Sequence, residues 1–565
     1  MKILIIGGVA GGATAAARLR RLDETAEIII LERGGYVSYA NCGLPYYIGG
    51  VIENKRSLTL QTPKSFMERF RIEVRVRNEA ISIDPKNKTV SVKRSEDGSV
   101  YTESYDKLIL SPGAKAVRPE LSGIDNKRIF TLRTVEDTLC IKEFINTDKP
   151  KRAVVVGGGF IGLEMAENLV NLGIETTLLQ RGGQVLPPLD YDMACEVRAY
   201  LQSRGLKIRL NESISGFSEN NGVLLTELKD KPPVESDLVI LAIGVVPETH
   251  LAKEAGLVLG AKESIAVNEH MQTSEPDIYA VGDAVEVRHF VTGSKALIAL
   301  AGPANKQGRI AADNICGIPS KFSGSQGSSV IKLFDMTAAS TGINEKTAKA
   351  EGIAYDKAVT YSASHATYYP GSTDLTIKTV FDAASGKILG AQIVGFDGVD
   401  KRIDVLATAI HAGMTAAQLA ELDLAYAPPY SSAKDPVNMA GFVIENARSG
   451  LMKQYHWHDI EKLQNDGEVT MLDTRTEEEY AEGHIEGTVN IPLNSLRERI
   501  DELDKAKRIY VNCYSGLRSY IACRILTGHG FNCYNLSGGY RFYELITKDK
   551  CYDAEPTHPC GIKIK

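Results

Sequence analysis

A strand, a glycine-rich turn, a helix and a second strand follow one another twice in this 565-residue chain. The first copy has strands at 3–6 and 28–31 around the turn 7–12. The second copy, about 150 residues later, has strands at 153–156 and 176–179, with the turn 157–162 and a helix predicted over 163–172. Glycines in such a turn let phosphate oxygens approach backbone N–H groups at the positive end of a helix dipole. The repeat therefore predicts two separate dinucleotide-binding domains in an α/β fold.

The first glycine turn departs from the usual spacing, because Val9 stands where the second glycine is common. The third glycine is present, as is an acid twenty residues later that would bind ribose hydroxyls. A tight turn without a ligand remains an alternative for this copy taken alone. The predicted cofactor-binding residues here are Gly7, Gly8, Ala10, Gly12, Glu32 and Arg33.

The second turn matches the dinucleotide spacing fully, but its second strand ends in Gln180 and Arg181 instead of an acid. Arg181 could receive the 2′-phosphate of NADPH. Alternatively, Gln180 binds the ribose of NADH and Arg181 points into solvent. The predicted cofactor-binding residues are Gly157, Gly159, Phe160, Ile161, Gly162, Gln180 and Arg181.

Two further segments resemble parts of the two-dinucleotide flavoprotein disulfide reductases. Residues 273–283 resemble their second FAD motif, whose aspartate holds the ribitol chain, and 111–114 resemble their crossover between FAD and NAD domains. The order of the four segments is more specific than any one of them. The resemblance implies a discontinuous FAD domain with further contacts from Ser111, Pro112, Gly113, Gly282 and Asp283.

A cysteine, Cys42, lies in a segment compatible with a helix N-terminus, where the dipole favours the thiolate. A buried structural thiol is the alternative. Tyr47 occupies the position of the second cysteine of disulfide reductases, which excludes an internal redox disulfide there. The first glycine turn contains no histidine, unlike the sulfenic-acid enzymes of the family, so a mixed disulfide with a small thiol is the remaining route.

Residues 7–14, 41–46, 365–371 and 425–436 resemble the coenzyme A disulfide reductases, a likeness that covers about residues 1–445. It implies that Tyr368 and Tyr426, from the partner subunit, supply phenolic protons near Cys42. For the arginines a solvated helix face, and for the tyrosines a dimer core, are the alternatives. The CoA contacts implied are Thr14, Arg18, Arg21, Ser38, Asn41 and Lys434.

Residues 513–519 form a second reactive segment, in which Cys513 follows an apolar strand and Arg518 ends a loop before a helix. Successive N–H groups in such a loop make an anion cradle around the sulfur. With residues 473–475, 483–492 and 536–539, the segment resembles the rhodanese family, which implies catalytic Cys513 and Arg518. An inactive scaffold is the alternative; phosphatase chemistry is disfavoured, because the related phosphatase loop is one residue longer.

The remaining cysteines of this region give no CxxC pair, so no metal site is predicted. They are Cys523, Cys533, Cys551 and Cys560, and none receives a role. A net charge of −6 gives no general attraction to nucleic acid or anionic membranes. No apolar run approaches the roughly 20 residues that span a bilayer. The nine cysteines are an odd number spread over a long chain, which does not indicate a secreted disulfide framework. Reduced thiols in a cytoplasmic protein are therefore expected.

We therefore expect an α/β fold with two Rossmann-like dinucleotide-binding domains, an α+β dimerisation domain and an α/β rhodanese domain. The predicted activity is reduction of CoA persulfide, polysulfide or CoA disulfide by NADH or NADPH, with FAD, in a homodimer. A dedicated CoA disulfide reductase, a low-turnover flavin sensor and an NAD(P)H oxidase are the rivals. The predicted segments are FAD-binding 1–115 and 251–324, NAD(P)-binding 116–250, dimerisation 325–445, linker 446–456, rhodanese 457–550 and tail 551–565.

Overall fold

The computed structural model describes residues 1–547, which form two compact units. The first consists of Met1–Gly183 and Gly205–Gly327, and the second of Gln184–Arg204 and the described residues from Ser328 onward. Cys551, Cys560 and the predicted tail lie outside the described residues.

A parallel sheet of five strands in the first unit carries the first glycine turn. Ile3 and Ile5 pack on one face of it and Leu4 and Ile6 on the other, so both faces are apolar, as expected for a sheet with cover on both sides. The strand Ile278–Ala280, far along the sequence, pairs with Lys107–Leu110, the strand that directly precedes the crossover segment 111–114. The strand order is Ile278–Ala280, Lys107–Leu110, Lys2–Ile6, Glu27–Glu32 and Glu73–Val76.

A second parallel sheet carries the second glycine turn. The helix after that turn is Phe160–Asn171, so it begins earlier than the predicted residue 163. Gly162 lies inside this helix. Glycine is needed at that position because a Cβ there would lie 1.9 Å from the Gly157 carbonyl oxygen. The strand order is Lys207–Leu210, Glu175–Gln180, Arg152–Val156, Leu238–Leu241 and Ile129–Thr131.

The first unit also contains two antiparallel three-stranded sheets. One consists of Asn78–Asp84, Thr89–Arg94 and Val100–Ser104, and the other of Ile214–Asn220, Val223–Leu228 and Lys231–Ser236. Its α-helices are Ala10–Leu22, Leu44–Gly49, Pro63–Phe70, Val135–Asp148, Phe160–Asn171, His250–Glu254 and Ala301–Ile315.

The second unit begins with a segment that the sequence assigned elsewhere. Residues 184–204 were expected in the NAD(P)-binding domain, but they belong to the unit that contains the dimerisation sheet. The physical reason is a set of buried contacts: the Lys378 ammonium lies 2.7 Å from both carboxylate oxygens of Asp192 and 3.1 Å from Asp190. Isolated acids at the start of a helix give no such signal in the sequence.

An antiparallel five-stranded sheet with helices forms the expected α+β region. The alternating residues at 375–381 and 388–394 predict antiparallel strands, and these two segments are neighbours in the sheet. The order is Ser329–Leu333, Met336–Gly342, Ile388–Gly395, Asp374–Asp382 and Tyr355–Ala363. The α-helices of this unit before residue 450 are Tyr191–Ser203, Glu345–Ala350, Val399–Ala412, Ala416–Ala420 and Pro436–Arg448.

A parallel sheet of five strands forms the C-terminal region. The segment expected as a linker is shorter than predicted, because Pro436–Arg448 is helical and Lys453–Tyr455 is an edge strand of this sheet. The strand order is Lys453–Tyr455, Asn532–Leu536, Arg508–Asn512, Val469–Asp473 and Val489–Asn490. The helices are Ile460–Gln464, Glu477–Glu482, Leu517–Gly528 and Gly539–Thr547.

Candidate active sites

The first glycine turn has no room for side chains where it meets the crossover segment. A Cβ on Gly7, whose φ is +95°, would lie 2.0 Å from the Ser111 carbonyl oxygen, and one on Gly12 would lie 1.9 Å from Gly7. Gly12 N–H donates to Ser111 Oγ at 3.0 Å. Val9, the N-cap residue of the following helix, provides no side-chain cap, so Ser111 Oγ is the side-chain oxygen that accepts from the first turn.

Glu32, at the end of the second strand, accepts a hydrogen bond from Gly8 N–H at 3.0 Å. The Glu32 carboxylate is thus held beside the turn. There it could accept hydrogen bonds from the ribose hydroxyls of a nucleotide, in addition to or in place of the bond from Gly8 N–H. Together with the backbone N–H groups of the turn, this carboxylate fits the adenosine half of FAD. Ala10 begins the helix, and Arg33 pairs with Glu248 at 3.2 Å.

Arg133 connects three parts of this region, although no motif marked it in the sequence. Its guanidinium lies 2.6 Å from Asp283 Oδ2 and donates to the Ala114 carbonyl at 3.1 Å. With its amide turned to satisfy both groups, Asn41 donates to the Arg133 carbonyl and accepts from its guanidinium. Arg133 therefore contacts the crossover segment, the second FAD motif and Asn41, the residue before Cys42.

The second glycine turn repeats the geometry of the first. A Cβ on Gly157 would lie 2.2 Å from the Ala242 carbonyl oxygen, whereas one on Gly159 would meet no atom within 4 Å. Space beside Gly159 fits the close approach of a pyrophosphate. Gln180 Oε1 accepts from Gly158 N–H at 3.0 Å, in the place that Glu32 takes in the first turn, and Arg181 is exposed.

Cys42 lies on the short 3₁₀ turn Asn41–Gly43, one residue before the N-cap of the six-residue helix Leu44–Gly49. The thiol is exposed, not buried. Partial loss of hydration raises its pKa, the Glu164 carboxylate raises it further, and Arg133 lowers it. A thiolate favoured by the helix dipole remains the prediction, and the loss of hydration and the Glu164 carboxylate oppose it.

Glu164 is the neighbour of Cys42 that sequence reasoning missed. It follows Gly162 on the helix of the second glycine turn, and the Tyr46 hydroxyl donates to its Oε1 at 3.4 Å. Burial raises the pKa of Glu164 to about 7. This carboxyl therefore changes charge near neutral pH beside the thiol.

The residues expected to contact CoA are spread over both units. In the first, Thr14 donates to Asn305 Oδ1 at 2.7 Å and Arg18 pairs with Asp313 at 2.7 Å, whereas Arg21 is exposed. Ser38 has a left-handed backbone, with φ +47°. Lys434 is exposed in the second unit.

Tyr368 and Tyr426 are brought together in the second unit, where their hydroxyl oxygens lie 2.6 Å apart. Both rings are exposed, at 74% and 46% of their surface. The hydrogen bond to Tyr426 raises the pKa of Tyr368. Two adjacent phenols at a surface are equipped to hold and pass a proton.

Cys513 directly follows the strand Arg508–Asn512 and is fully buried. Its Sγ accepts hydrogen bonds from Gly516 N–H at 3.1 Å and from Ser519 Oγ at 3.2 Å. Gly516, with φ +102°, turns the loop so that its amide faces the sulfur. Ser519 was not singled out in the sequence.

Arg518, predicted to end the anion cradle, lies in the first turn of the helix Leu517–Gly528 and binds a carboxylate. Its guanidinium makes two hydrogen bonds to Glu479, both of 2.7 Å. Burial alone would raise the pKa of Glu479, but the Arg518 hydrogen bonds and the Thr476 amide lower it. Arg518 therefore holds the loop through an ion pair whose charge is already balanced.

Comparison with known proteins gives three matching family models. Residues 1–308 match the pyridine nucleotide-disulphide oxidoreductase model, 328–436 its dimerisation domain and 456–544 the rhodanese-like domain. The chain belongs to the pyridine nucleotide-disulphide oxidoreductase family. This family is flavin- and pyridine-nucleotide-dependent, which confirms the predicted FAD and NAD(P)H.

Individual relatives of this oxidoreductase match either 78% of the chain or almost the whole of it. Coenzyme A disulfide reductase of Staphylococcus haemolyticus (strain JCSC1435) is 38% identical over 442 residues, 78% of this chain and 98% of that protein. Reduced Bacillus anthracis CoADR-RHD is 47% identical, with a TM-score of 0.95 over 98% of this chain and 99% of its own. The NAD-dependent persulfide reductase from A. fulgidus is 39% identical, with a TM-score of 0.89 over 96% and 100%.

Two absences concern the described part of this oxidoreductase. Among residues 1–547, none of the helices has the length and apolar character needed to cross a bilayer. The one acidic group within that range with metal-ligand geometry is Asp190, Asp192 and Glu345. The Lys378 ammonium is already bound to these acids, so the cation there is a side chain.

Proposed function

We propose that this oxidoreductase uses NADH or NADPH to reduce CoA persulfide, polysulfide or CoA disulfide at Cys42, with sulfane sulfur delivered by Cys513. One observation carries the proposal: the exposed Cys42 thiol has Tyr47, not a second cysteine, at the partner position. Its disulfide partner must therefore come from a small molecule. The relatives named for CoA disulfide and persulfide reduction support this substrate class.

The first turn with Glu32, the crossover residues 111–113 and Asp283 would hold FAD, and the second turn with Gln180 and Arg181 would hold NAD(P)H. When bound, these cofactors supply the electron pair that cleaves a sulfur–sulfur bond. Arg133 fixes Asp283 and Asn41 relative to each other, so it orients this site.

At Cys42, the thiolate attacks the CoA sulfur of a CoA persulfide. A bond forms between Cys42 and CoA, the bond to the outer sulfur breaks, and hydrosulfide leaves. Two electrons and a proton then convert this mixed disulfide into the Cys42 thiolate and CoA thiol. Tyr368 and Tyr426, from the partner subunit, would donate the proton, since their hydroxyls share a hydrogen bond.

At Cys513, the thiolate attacks the outer sulfur of a donor persulfide. The donor's sulfur–sulfur bond breaks, the donor leaves as a thiolate, and Cys513 carries a persulfide. A CoA thiolate then takes the outer sulfur, which regenerates Cys513 and forms CoA persulfide. Gly516 N–H and Ser519 Oγ, which donate to Sγ, stabilise the anionic sulfur in both steps.

The CoA contacts proposed are Thr14, Arg18, Arg21, Ser38, Asn41 and Lys434, in a cytoplasmic homodimer. A dedicated CoA disulfide reductase with a separate sulfurtransferase is the second candidate. It is favoured by the relatives of that name, which match 78% of this chain over almost their whole length.

The test is anaerobic turnover of the purified protein with both nicotinamides, comparing CoA persulfide, CoA disulfide and a polysulfide donor. We expect Cys42→Ser to abolish reduction of every substrate. Cys513→Ser should spare CoA disulfide and impair donors that need the relay, measured as sulfide release. Loss of CoA disulfide reduction in Cys513→Ser would contradict this division of labour.

A further inference from the structure

The rhodanese-like domain covers the open edge of the dimerisation sheet within the second unit. Tyr355–Ala363 is an edge strand, paired on one side by Asp374–Asp382. On its other side, Val359 N–H donates to Ser537 Oγ at 3.0 Å. The Lys357 carbonyl accepts from Gln454 Nε2 at 3.3 Å. Edge strands expose unpaired backbone groups, and here side chains of another domain satisfy them.

The helix Gly539–Thr547 joins this interface to the Cys513 loop. Tyr540 N–H donates to the Cys513 carbonyl at 2.7 Å, and Arg541 N–H donates to the Tyr514 carbonyl at 3.0 Å. Gly539 makes this approach possible, because a Cβ there would lie 2.5 Å from the Tyr514 carbonyl oxygen. The first turn of the helix is therefore built onto the loop backbone.

The side chain of Arg541 reaches from that turn to the dimerisation domain. Its Nη1 lies 2.7 Å from Asp374 Oδ2, with side-chain exposures of 16% and 11%. The guanidinium lies 4.6 Å from the centre of the Tyr361 ring, on the edge strand, and 5.9 Å from that of Tyr514, in the loop. One residue thus binds the loop through its backbone and the dimerisation sheet through its charge.

We propose that Arg541 is a positioning residue that fixes the Cys513 loop relative to the dimerisation domain, so that CoA can collect sulfur from Cys513 in the intact enzyme. The inference rests on the proposed relay. The dimerisation domain carries Lys434 and the two tyrosines proposed to meet CoA, and Cys513, which would hand over the sulfur, is fully buried. A loop free to shift would present its persulfide at varying distances from the CoA thiolate.

Asp374→Asn gives the sharper test, because it breaks the pair without altering the rhodanese-like domain. We expect NAD(P)H oxidation driven by a polysulfide donor with CoA to fall on the order of tenfold in kcat, as a small misplacement does, with little change in KM for the donor. Sulfur transfer from the same donor to cyanide, and reduction of CoA disulfide, should stay at the wild-type rate. Arg541→Gln should behave alike, and Arg541→Lys should recover part of the coupled rate.

Arg499→Gln is the matched control, since it removes an exposed arginine–glutamate pair in the same domain. Wild-type coupled rates in Asp374→Asn and Arg541→Gln, with Cys513→Ser inactive, would overturn the inference and leave the relay intact. An equal loss of cyanide transfer in Asp374→Asn would also overturn it, because the pair would then serve the loop's own structure. If Cys513→Ser kept the coupled rate, the proposed function itself would fail.

Discussion

Glu32 and Gln180 occupy equivalent positions in the two dinucleotide sites but differ in charge. Both side chains end the second strand of their sheet and accept from a turn amide at 3.0 Å. The carboxylate of Glu32 would repel a phosphate on the ribose, whereas the amide of Gln180 would not. Beside Gln180, the exposed Arg181 adds a positive charge. We therefore expect the second site to accept NADPH as well as NADH.

Gln180→Glu should shift this tolerance towards NADH. The new carboxylate accepts ribose hydroxyls and repels the 2′-phosphate, so KM for NADPH should rise at least about tenfold, or about 1.4 kcal/mol. The measurement is KM for each nicotinamide with CoA disulfide. Arg181→Ala is the companion variant and should weaken NADPH alone; an unchanged ratio in both variants would show that neither side chain faces the ribose.

Glu164 gives the Cys42 thiol a pH dependence. Below its pKa of about 7 this carboxyl is neutral, and above it the negative charge opposes the thiolate of Cys42. Glu164→Gln should therefore lower the pKa of Cys42, with the larger gain in alkylation rate above neutral pH. Peptide mass spectrometry of iodoacetamide-treated protein would follow Cys42 separately from Cys140 and Cys316. Glu68→Gln, in an exposed pair, is the control, and identical pH profiles would contradict the role.

At the scale of elements, the sequence predicted most of what periodic apolar residues can signal. Mostly apolar residues at 469–473 and 508–512 predict two buried parallel strands, and the structure has strands at those residues. The strand Lys453–Tyr455 was missed, since three mostly polar residues at a sheet edge carry no such pattern. Arg133 and Arg541 were missed because single arginines form their contacts across long stretches of sequence.

Glu479 combines two element-level contacts that can be separated by substitution. Its side chain accepts from Thr476 N–H in a capping box and pairs with Arg518 on the next helix. Glutamine preserves the cap and loses the charge, whereas alanine loses both. Glu479→Ala should be less stable than Glu479→Gln by about 1 kcal/mol, the usual contribution of a cap. Both should slow sulfur transfer to cyanide, and equal denaturation midpoints would contradict the separation.

At the scale of the whole molecule, the segment 184–204 leaves the domain that precedes it in sequence and enters the second unit. Asp190 and Asp192 from this segment meet Lys378 and Glu345 of the dimerisation region. The Lys378 ammonium is fully buried. A burial of this kind is tolerated only because several acids surround the cation. Local sequence patterns could not predict it, since the partners lie more than 150 residues apart.

Lys378→Met should destabilise the second unit by about 3–5 kcal/mol at neutral pH, because it leaves the carboxylates buried without their cation. The only tryptophan, Trp457, donates to Asp192 Oδ2 at 3.3 Å, so its fluorescence during denaturation reports on this cluster. Lys64→Met, which removes an exposed pair with Glu68, is the control and should be nearly neutral.

The pH dependence decides whether the charge cluster is the cause. In the wild type, Lys378 and Lys357 overcome the effect of burial and hold the pKa of Glu345 far below its usual value. That contribution to stability is complete above the unfolded pKa and is lost as pH falls towards the folded one. In Lys378→Met the buried acids have lost their cation, so protonation stabilises the folded state instead of destabilising it. The difference in the free energy of unfolding between wild type and variant should therefore become smaller at acidic pH. A gap that stayed constant from neutral to acidic pH would assign the loss to packing around the methionine instead of charge.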